Sequence, residues 1–135
     1  MVPEKLKQDI QFSHANVKRF AEAQRGTVMD FETEIVPGLV AGQKSIPCNA
    51  AGCYVPGGRY SHIASAIMTV TTAKVADGQH ITAWSPTAKG TGIAPATCDA
   101  AHLCGADKIL PLCLVQVVGS LTLCRFLSLI HLYRS

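Results

Sequence analysis

The sequence has little charge and few aromatic side chains. Of its 135 residues, 16% are charged and 6% are aromatic, whereas 48% are apolar. This composition excludes disorder throughout the chain, because chains stay unfolded when they combine low hydrophobicity with high charge. The length predicts a single domain with a modest hydrophobic core.

The charged residues form no block of one sign. Twelve basic and nine acidic residues give a net charge of +3, and no basic run with interleaved aromatic residues is present. We therefore expect no nucleic-acid partner, whereas a small ligand that carries phosphate is compatible with the composition.

The N-terminus lacks the basic and then apolar pattern of a secretory signal. The apolar stretch 109–132 is interrupted by Pro111, Gln116, Arg125 and His131, and charged residues are costly at the depth of a bilayer. A membrane-spanning segment is therefore the less favoured alternative. We expect a cytoplasmic protein with no membrane association.

The cysteines and histidines lack the spacing of metal ligands. No CxxC pair and no HxxxH or HExxH motif occurs. We interpret the cysteines as reduced, and a disulfide framework is less favoured because such scaffolds are shorter and less aliphatic. The six cysteines are Cys48, Cys53, Cys98, Cys104, Cys113 and Cys124.

The first third of the sequence predicts a helix and a hairpin. Pro3 suits the start of a helix and Gly26 its end. The apolar positions recur at helical spacing: Leu6, Ile10, Val17, Phe20 and Ala21. Residues 27–36 then alternate with period two, which predicts a half-buried strand, and residues 39–46 form the return strand after a Pro-Gly turn.

The second half predicts an α/β unit with a parallel sheet. Short apolar runs at 52–55, 80–84 and 108–112 alternate with helical patterns at 61–76 and 95–104. Strands that alternate with helices in this order are typical of parallel sheets with crossover helices.

The loop after the first of these strands is a candidate binding site. Tyr54 and Val55 are followed by Pro56-Gly57-Gly58, and Ser61 is predicted to cap the next helix. Such a loop can present backbone N–H groups to an anion such as a phosphate. The simpler alternative is a tight turn that only requires two glycines, and the GxGxxG fingerprint is absent.

Several motifs, in order along the chain, resemble those of the histidinol dehydrogenase family between Ile10 and Gln116. The segment 58–65 is more similar to the branch that oxidises a sulfonated propanediol. The motifs are Pro37-Gly38-Leu39, Gly42-Gln43, Gly52-Cys53-Tyr54-Val55-Pro56-Gly57-Gly58, Ala73-Lys74-Val75-Ala76, Ser85-Pro86 and Ala100-Ala101-His102-Leu103-Cys104-Gly105-Ala106-Asp107.

The resemblance implies a homodimeric dehydrogenase that uses NAD and zinc to oxidise a small alcohol, in some cases through the aldehyde to the acid. It also implies two incomplete Rossmann-like domains. Residues 1–50 would belong to the first domain and residues 51–116 to the NAD-binding one, with a divergent apolar tail at 117–135. The residues that the resemblance assigns to the coenzyme are Tyr54, Pro56, Gly57, Gly58 and Gln116.

The resemblance also has gaps. Cys113-Leu114 stands where the family has Gly-Gly before the glutamine that matches Gln116. The zinc ligands and the general base of the family would lie beyond this sequence, so we expect no catalytic or metal-binding residue here and no turnover by this chain alone. Two alternatives are a non-catalytic NAD-binding module and a decayed remnant of the enzyme.

Overall fold

The structure is a computed structural model that describes residues 2–57, 60–87 and 92–122, with the backbone alone for residues 120–122. It contains four helices and five strands within these residues. In chain order they are α1 (Glu4–Arg25), β1 (Phe31–Val36), β2 (Leu39–Gln43), β3 (Ala50–Tyr54), α2 (Ile63–Val75), β4 (His80–Trp84), α3 (Pro95–Leu103), β5 (Lys108–Leu110) and α4 (Leu114–Thr122).

Helix α1 packs along α2 through the predicted apolar stripe. Ile10 and Ala21 are buried, and Leu6 and Val17 lie partly buried against the core. Phe20 is the exception, because 66% of its surface is exposed. Phe20 thus lies outside the buried part of the stripe.

Strands β1 and β2 form an antiparallel hairpin that is shorter and more exposed than the sequence predicts. Phe31 pairs with Gln43, so residues 27–30 and 44–46 lie outside the ladder. Every residue of both strands is exposed. The prediction of a half-buried strand is therefore wrong, because no other described element makes an extensive contact with the hairpin.

Strands β3, β4 and β5 form the predicted parallel sheet, in that order. Alternate residues of the strands point to the face that helices α2 and α3 cover, and they form the core with small residues of those helices. These residues are Cys53, Ile81 and Ala83, joined by Val55 just after β3, and all of them are at most 4% exposed. The mixed α/β fold predicted from the sequence is confirmed.

Two further expectations concern the whole chain. None of the helices that the structure describes is long and apolar enough to span a membrane. The five cysteines within the described residues are all free thiols, and Cys124 lies outside these residues.

Candidate functional site

The carboxyl ends of the three parallel strands meet at one edge of the sheet. Tyr54 pairs with Trp84 and Trp84 with Leu110, so β3, β4 and β5 end side by side. Helices α2, α3 and α4 follow these strands after 8, 10 and 3 residues, respectively. Ligands of open α/β sheets bind outside the carboxyl ends of the strands, so this edge is the candidate site.

The loop after β3 approaches the segment after β4 closely. A side chain on Gly57 would place its Cβ 2.8 Å from the Ser85 Oγ and 3.4 Å from the Pro86 carbonyl oxygen. A larger residue at position 57 would therefore require the Ser85 side chain to shift. Pro56 is exposed in the same loop, whereas Gly58 lies outside the described residues.

The N-termini of α2 and α3 lack side-chain caps. Their N-cap residues, His62 and Ala94, make no side-chain capping bond, and neither helix has an acidic residue in its first turn. Uncapped N-termini carry partial positive charge and attract anions. Both termini can therefore hold a negatively charged group.

Ser61 does not cap α2, so that prediction is wrong. Its hydroxyl lies 2.9 Å from the Thr97 hydroxyl in the first turn of α3, and Thr97 is 2% exposed. This hydrogen bond joins the starts of the two helices. The sequence could not indicate it, because the two residues are 36 positions apart.

Tyr54 and Trp84 lie on the sheet face opposite to the one that α2 and α3 cover. Tyr54 is half-buried, and Trp84 is 3% exposed. The Trp84 ring lies over Gly52, where an added Cβ would come within 2.5 Å of the ring. The aromatic pair therefore borders the candidate site on this second face.

Gln116 lies in the first turn of α4 and is exposed. Its amide oxygen accepts a hydrogen bond from the backbone N–H of Cys113, at 3.3 Å. The side chain thus folds over the start of its own helix. Helix α4 follows the end of β5 after three residues.

Metal binding and catalysis by a cysteine thiolate have less support in the described part of the chain. No three His, Cys, Asp or Glu side chains come together there to hold a metal ion. Burial raises the pKa of the Cys53 and Cys104 thiols, which disfavours the nucleophilic thiolate.

A cavity of about 660 Å³ lies near the C-terminal ends of α1 and α2. Two charged residues of its lining, Arg25 and Asp77, already pair with each other.

Comparisons with known proteins identify relatives of the chain. The family model described as histidinol dehydrogenase matches residues 1–125. The match continues nine residues beyond Gln116.

Named relatives match over a similar span. The chain is 65% identical over 120 residues to sulfopropanediol 3-dehydrogenase of Ruegeria pomeroyi, covering 89% of this chain and 28% of the relative. It is 39% identical over 107 residues to histidinol dehydrogenase of Methanosarcina barkeri, covering 79% of this chain and 24% of that one.

A solved structure resembles the fold. The crystal structure of histidinol dehydrogenase from Elizabethkingia anophelis matches with a TM-score of 0.72 and 27% identity, over 88% of this chain and 27% of that chain. The chain thus spans about a quarter of the length of each relative named here.

Proposed function

Since the chain belongs to the histidinol dehydrogenase family, we propose that it binds NAD at the carboxyl edge of its parallel sheet, as part of a dehydrogenase that oxidises an alcohol. The family resemblance indicates that the coenzyme is NAD. The charge and shape of the site formed by the described residues support this proposal.

The pair of uncapped helix N-termini is the observation that carries this proposal. The starts of α2 and α3 are tied together by the hydrogen bond between Ser61 and Thr97, and no acidic side chain lies in either first turn. The pyrophosphate of NAD carries the negative charge that such termini stabilise. Glycine at position 57 lets the loop after β3 lie close to Ser85 and Pro86 at this edge.

The remaining coenzyme residues follow from the same placement. Tyr54, at the end of β3, would contact the coenzyme with its aromatic ring, and Pro56, Gly57 and Gly58 would form the loop around the phosphates. Gln116 would reach the coenzyme from the start of α4. This last assignment needs the side chain to release its hydrogen bond with the Cys113 backbone.

When bound, NAD would supply a hydride acceptor for the carbon that bears the alcohol. The residues of this chain would bind the coenzyme and orient it. The zinc of the family does not fit the described residues, because no metal-ligating cluster occurs among them. We therefore assign no step of the reaction to a metal held here.

We propose a sulfonated propanediol as the substrate class. This rests on the 65% identity to the protein named sulfopropanediol 3-dehydrogenase, compared with 39% for the histidinol dehydrogenase of Methanosarcina barkeri. Histidinol is the alternative alcohol.

The coenzyme proposal can be tested by energy transfer from Trp84 to NADH, because Trp84 is the only tryptophan of the chain and ends β4. We expect saturable transfer with the wild-type protein. Tyr54→Ala should weaken binding by about tenfold, within the range for loss of an aromatic contact to a nucleotide base. Phe12→Ala is the control, because Phe12 is 71% exposed on α1. Absence of saturable transfer would refute the proposal, and equal affinity of both variants would remove Tyr54 from the site.

A further inference from the structure

A second cavity, of about 380 Å³, lies between α1 and the C-terminal ends of α2 and α3. A helix that connects two parallel strands runs back along the sheet, so its C-terminal end lies near the edge where the next strand begins. The cavity is therefore directed towards the opposite edge of the sheet from the candidate site. Its volume is in the range of small-molecule sites.

Basic side chains predominate in the lining of this cavity. Glu22 is the only acidic residue among the described residues that line it. The remaining wall is apolar and includes Val75, Leu103 and the buried thiol of Cys104. The lining thus combines positive charge with an apolar surface. Its basic residues are His14, Lys18 and Arg25 of α1 and Lys74 of α2.

Two of these basic residues have acidic partners. The Lys18 ammonium lies 3.9 Å from the Glu22 carboxylate. Arg25 pairs with Asp77, and all four side chains are more than half exposed. Ion pairs with this exposure contribute little to stability, so a ligand can compete for them at low cost. Within the described part of the chain, the other two basic residues of the lining form no ion pair.

The side chain of Lys74 is held in place at the cavity. A Cβ added at Gly105 would lie 3.5–3.6 Å from three carbon atoms of Lys74, so the lysine stem packs over this glycine. Packing of the stem leaves the ammonium at its end available to a ligand. It also reduces the conformational entropy that the side chain would lose on binding.

His14 adds a charge that depends on pH. Burial and the positive charge of Lys18 lower the pKa of His14. A bound anion would offset both effects and favour the protonated imidazole, so binding would take up a proton. The titratable groups that face His14 across the cavity are Lys18, Glu22 and Arg25 of α1, Lys74 of α2 and the thiol of Cys104 after α3.

We propose that this cavity binds a tetrahedral oxyanion, such as the phosphate group of a small organic molecule, through the Lys74 ammonium and the His14 imidazole. The apolar wall would contact the carbon skeleton of such a ligand. This inference does not depend on the coenzyme, because the cavity shares no lining residue with the candidate coenzyme site.

The test titrates the full chain with inorganic phosphate and with sulfate, followed by changes in the proton–nitrogen NMR spectrum. We expect saturable shifts at residues of the cavity lining. Lys74→Gln should weaken both anions by about tenfold, the low end for a lost hydrogen bond between charged groups. Lys74→Arg keeps the charge and should retain most of the affinity. Lys5→Gln, near the start of α1, removes the same charge outside the cavity and should change nothing.

A second titration tests the role of His14. Sulfate keeps its double charge over the range of about pH 6–8, in which histidine titrates. The affinity of the wild-type chain for sulfate should therefore rise as the pH falls, because His14 becomes protonated in the complex. His14→Gln should remove this rise and leave the contribution of Lys74 intact.

Three results would overturn the proposal in whole or in part. Absence of saturable binding, or equal affinity of Lys74→Gln and the wild type, would overturn the site and leave Lys74 only the role of balancing the negative C-terminal end of α2. Equal weakening in Lys74→Gln and Lys5→Gln would show a general effect of net charge. An unchanged pH dependence in His14→Gln would remove His14 from the site.

Discussion

At the scale of single residues, the cysteine thiols differ in their burial and in their pKa. Cys53 and Cys104 are each 4% exposed, and burial raises the pKa of both. Burial also raises the pKa of Cys98, with a further contribution from the negative charge of Asp99. Cys48 and Cys113 are exposed.

These differences predict the order of alkylation by iodoacetamide. The thiolate is the reactive form, and a raised pKa lowers the thiolate fraction at every pH below it. At neutral pH, Cys48 and Cys113 should therefore react well before Cys53 and Cys104, whose rates should rise as the pH increases. Mass spectrometry of peptides after timed alkylation measures this order. The urea-unfolded chain is the control, and equal rates in the folded chain would contradict the burial of Cys53 and Cys104.

Sequence patterns predicted where the site residues lie along the strands and loops, but they did not predict the contacts that these residues make. Tyr54 and Gly57 lie where the strand and loop patterns predict, since a strand end followed by glycine is a local signal. Ser61 bonds to Thr97 and not to its own helix, because a contact between two helices is invisible in local spacing. Ser85 could have been noticed as a hydroxyl that follows a buried strand, but its proximity to Gly57 depends on the pairing of β3 with β4.

Elements of the parallel sheet are held together in part by a contact between strands. The Trp84 ring of β4 lies over Gly52 of β3, and a Cβ at position 52 would be 2.5 Å from the ring. The packing of β4 against β3 thus depends on the absence of a side chain at Gly52.

Gly52→Ala should therefore destabilise the fold by about 1–3 kcal/mol, the usual cost of overpacking a core. Gly119→Ala is the control: Gly119 lies in α4, and a Cβ added there would have nothing within 4 Å. That change should stabilise the chain by about 0.5–1 kcal/mol or leave it unchanged, because alanine favours helix. Urea unfolding followed by circular dichroism measures both. Equal stability of Gly52→Ala and wild type would show that the ring does not rest on Gly52.

Element boundaries were predictable where a local signal exists. The strand 80–84 has the predicted limits, and α1 begins after Pro3 and ends before Gly26. The strand predicted to begin at residue 27 begins at Phe31, because residues 27 and 28 continue the turn after α1 through bonds to Gln24 and Arg25. Alternating polarity could not reveal these turn bonds.

At the scale of the whole molecule, the hairpin of β1 and β2 exposes a large apolar surface. Five large apolar side chains of β1 and β2 are more than half exposed: Phe31, Ile35, Val36, Leu39 and Val40. A two-stranded hairpin is marginally stable alone, and an exposed sheet edge offers free backbone groups to another chain. We propose that this surface supports association of two copies, in agreement with the homodimer that the family resemblance implies.

Association should therefore increase with protein concentration and depend on the hairpin. The double change Phe31→Lys with Ile35→Lys should shift the chain towards monomer, since like charges would meet at the contact. Phe12→Lys on α1 is the control, because Phe12 is 71% exposed but lies outside the hairpin. Sedimentation velocity over a range of concentrations measures the effect. A wild-type chain that stays monomeric at all concentrations would contradict the proposal.

The sequence by itself determined the order of helices and strands and the α/β class, because hydrophobic periodicity and Pro or Gly at element ends are local properties. It also carried the motifs that indicate the histidinol dehydrogenase family, which the comparisons then showed. These features need no knowledge of which elements touch.

Only the tertiary structure determined which elements the faces of the helices and strands contact. The alternation of β1 predicted a buried side, yet the hairpin is exposed because no described element covers it extensively. The parallel register brought Ser85 beside Gly57 and the start of α3 beside Ser61. Burial and hydrogen bonding depend on partners distant in sequence, and for that reason the contacts within the candidate site became visible only once the strands were paired.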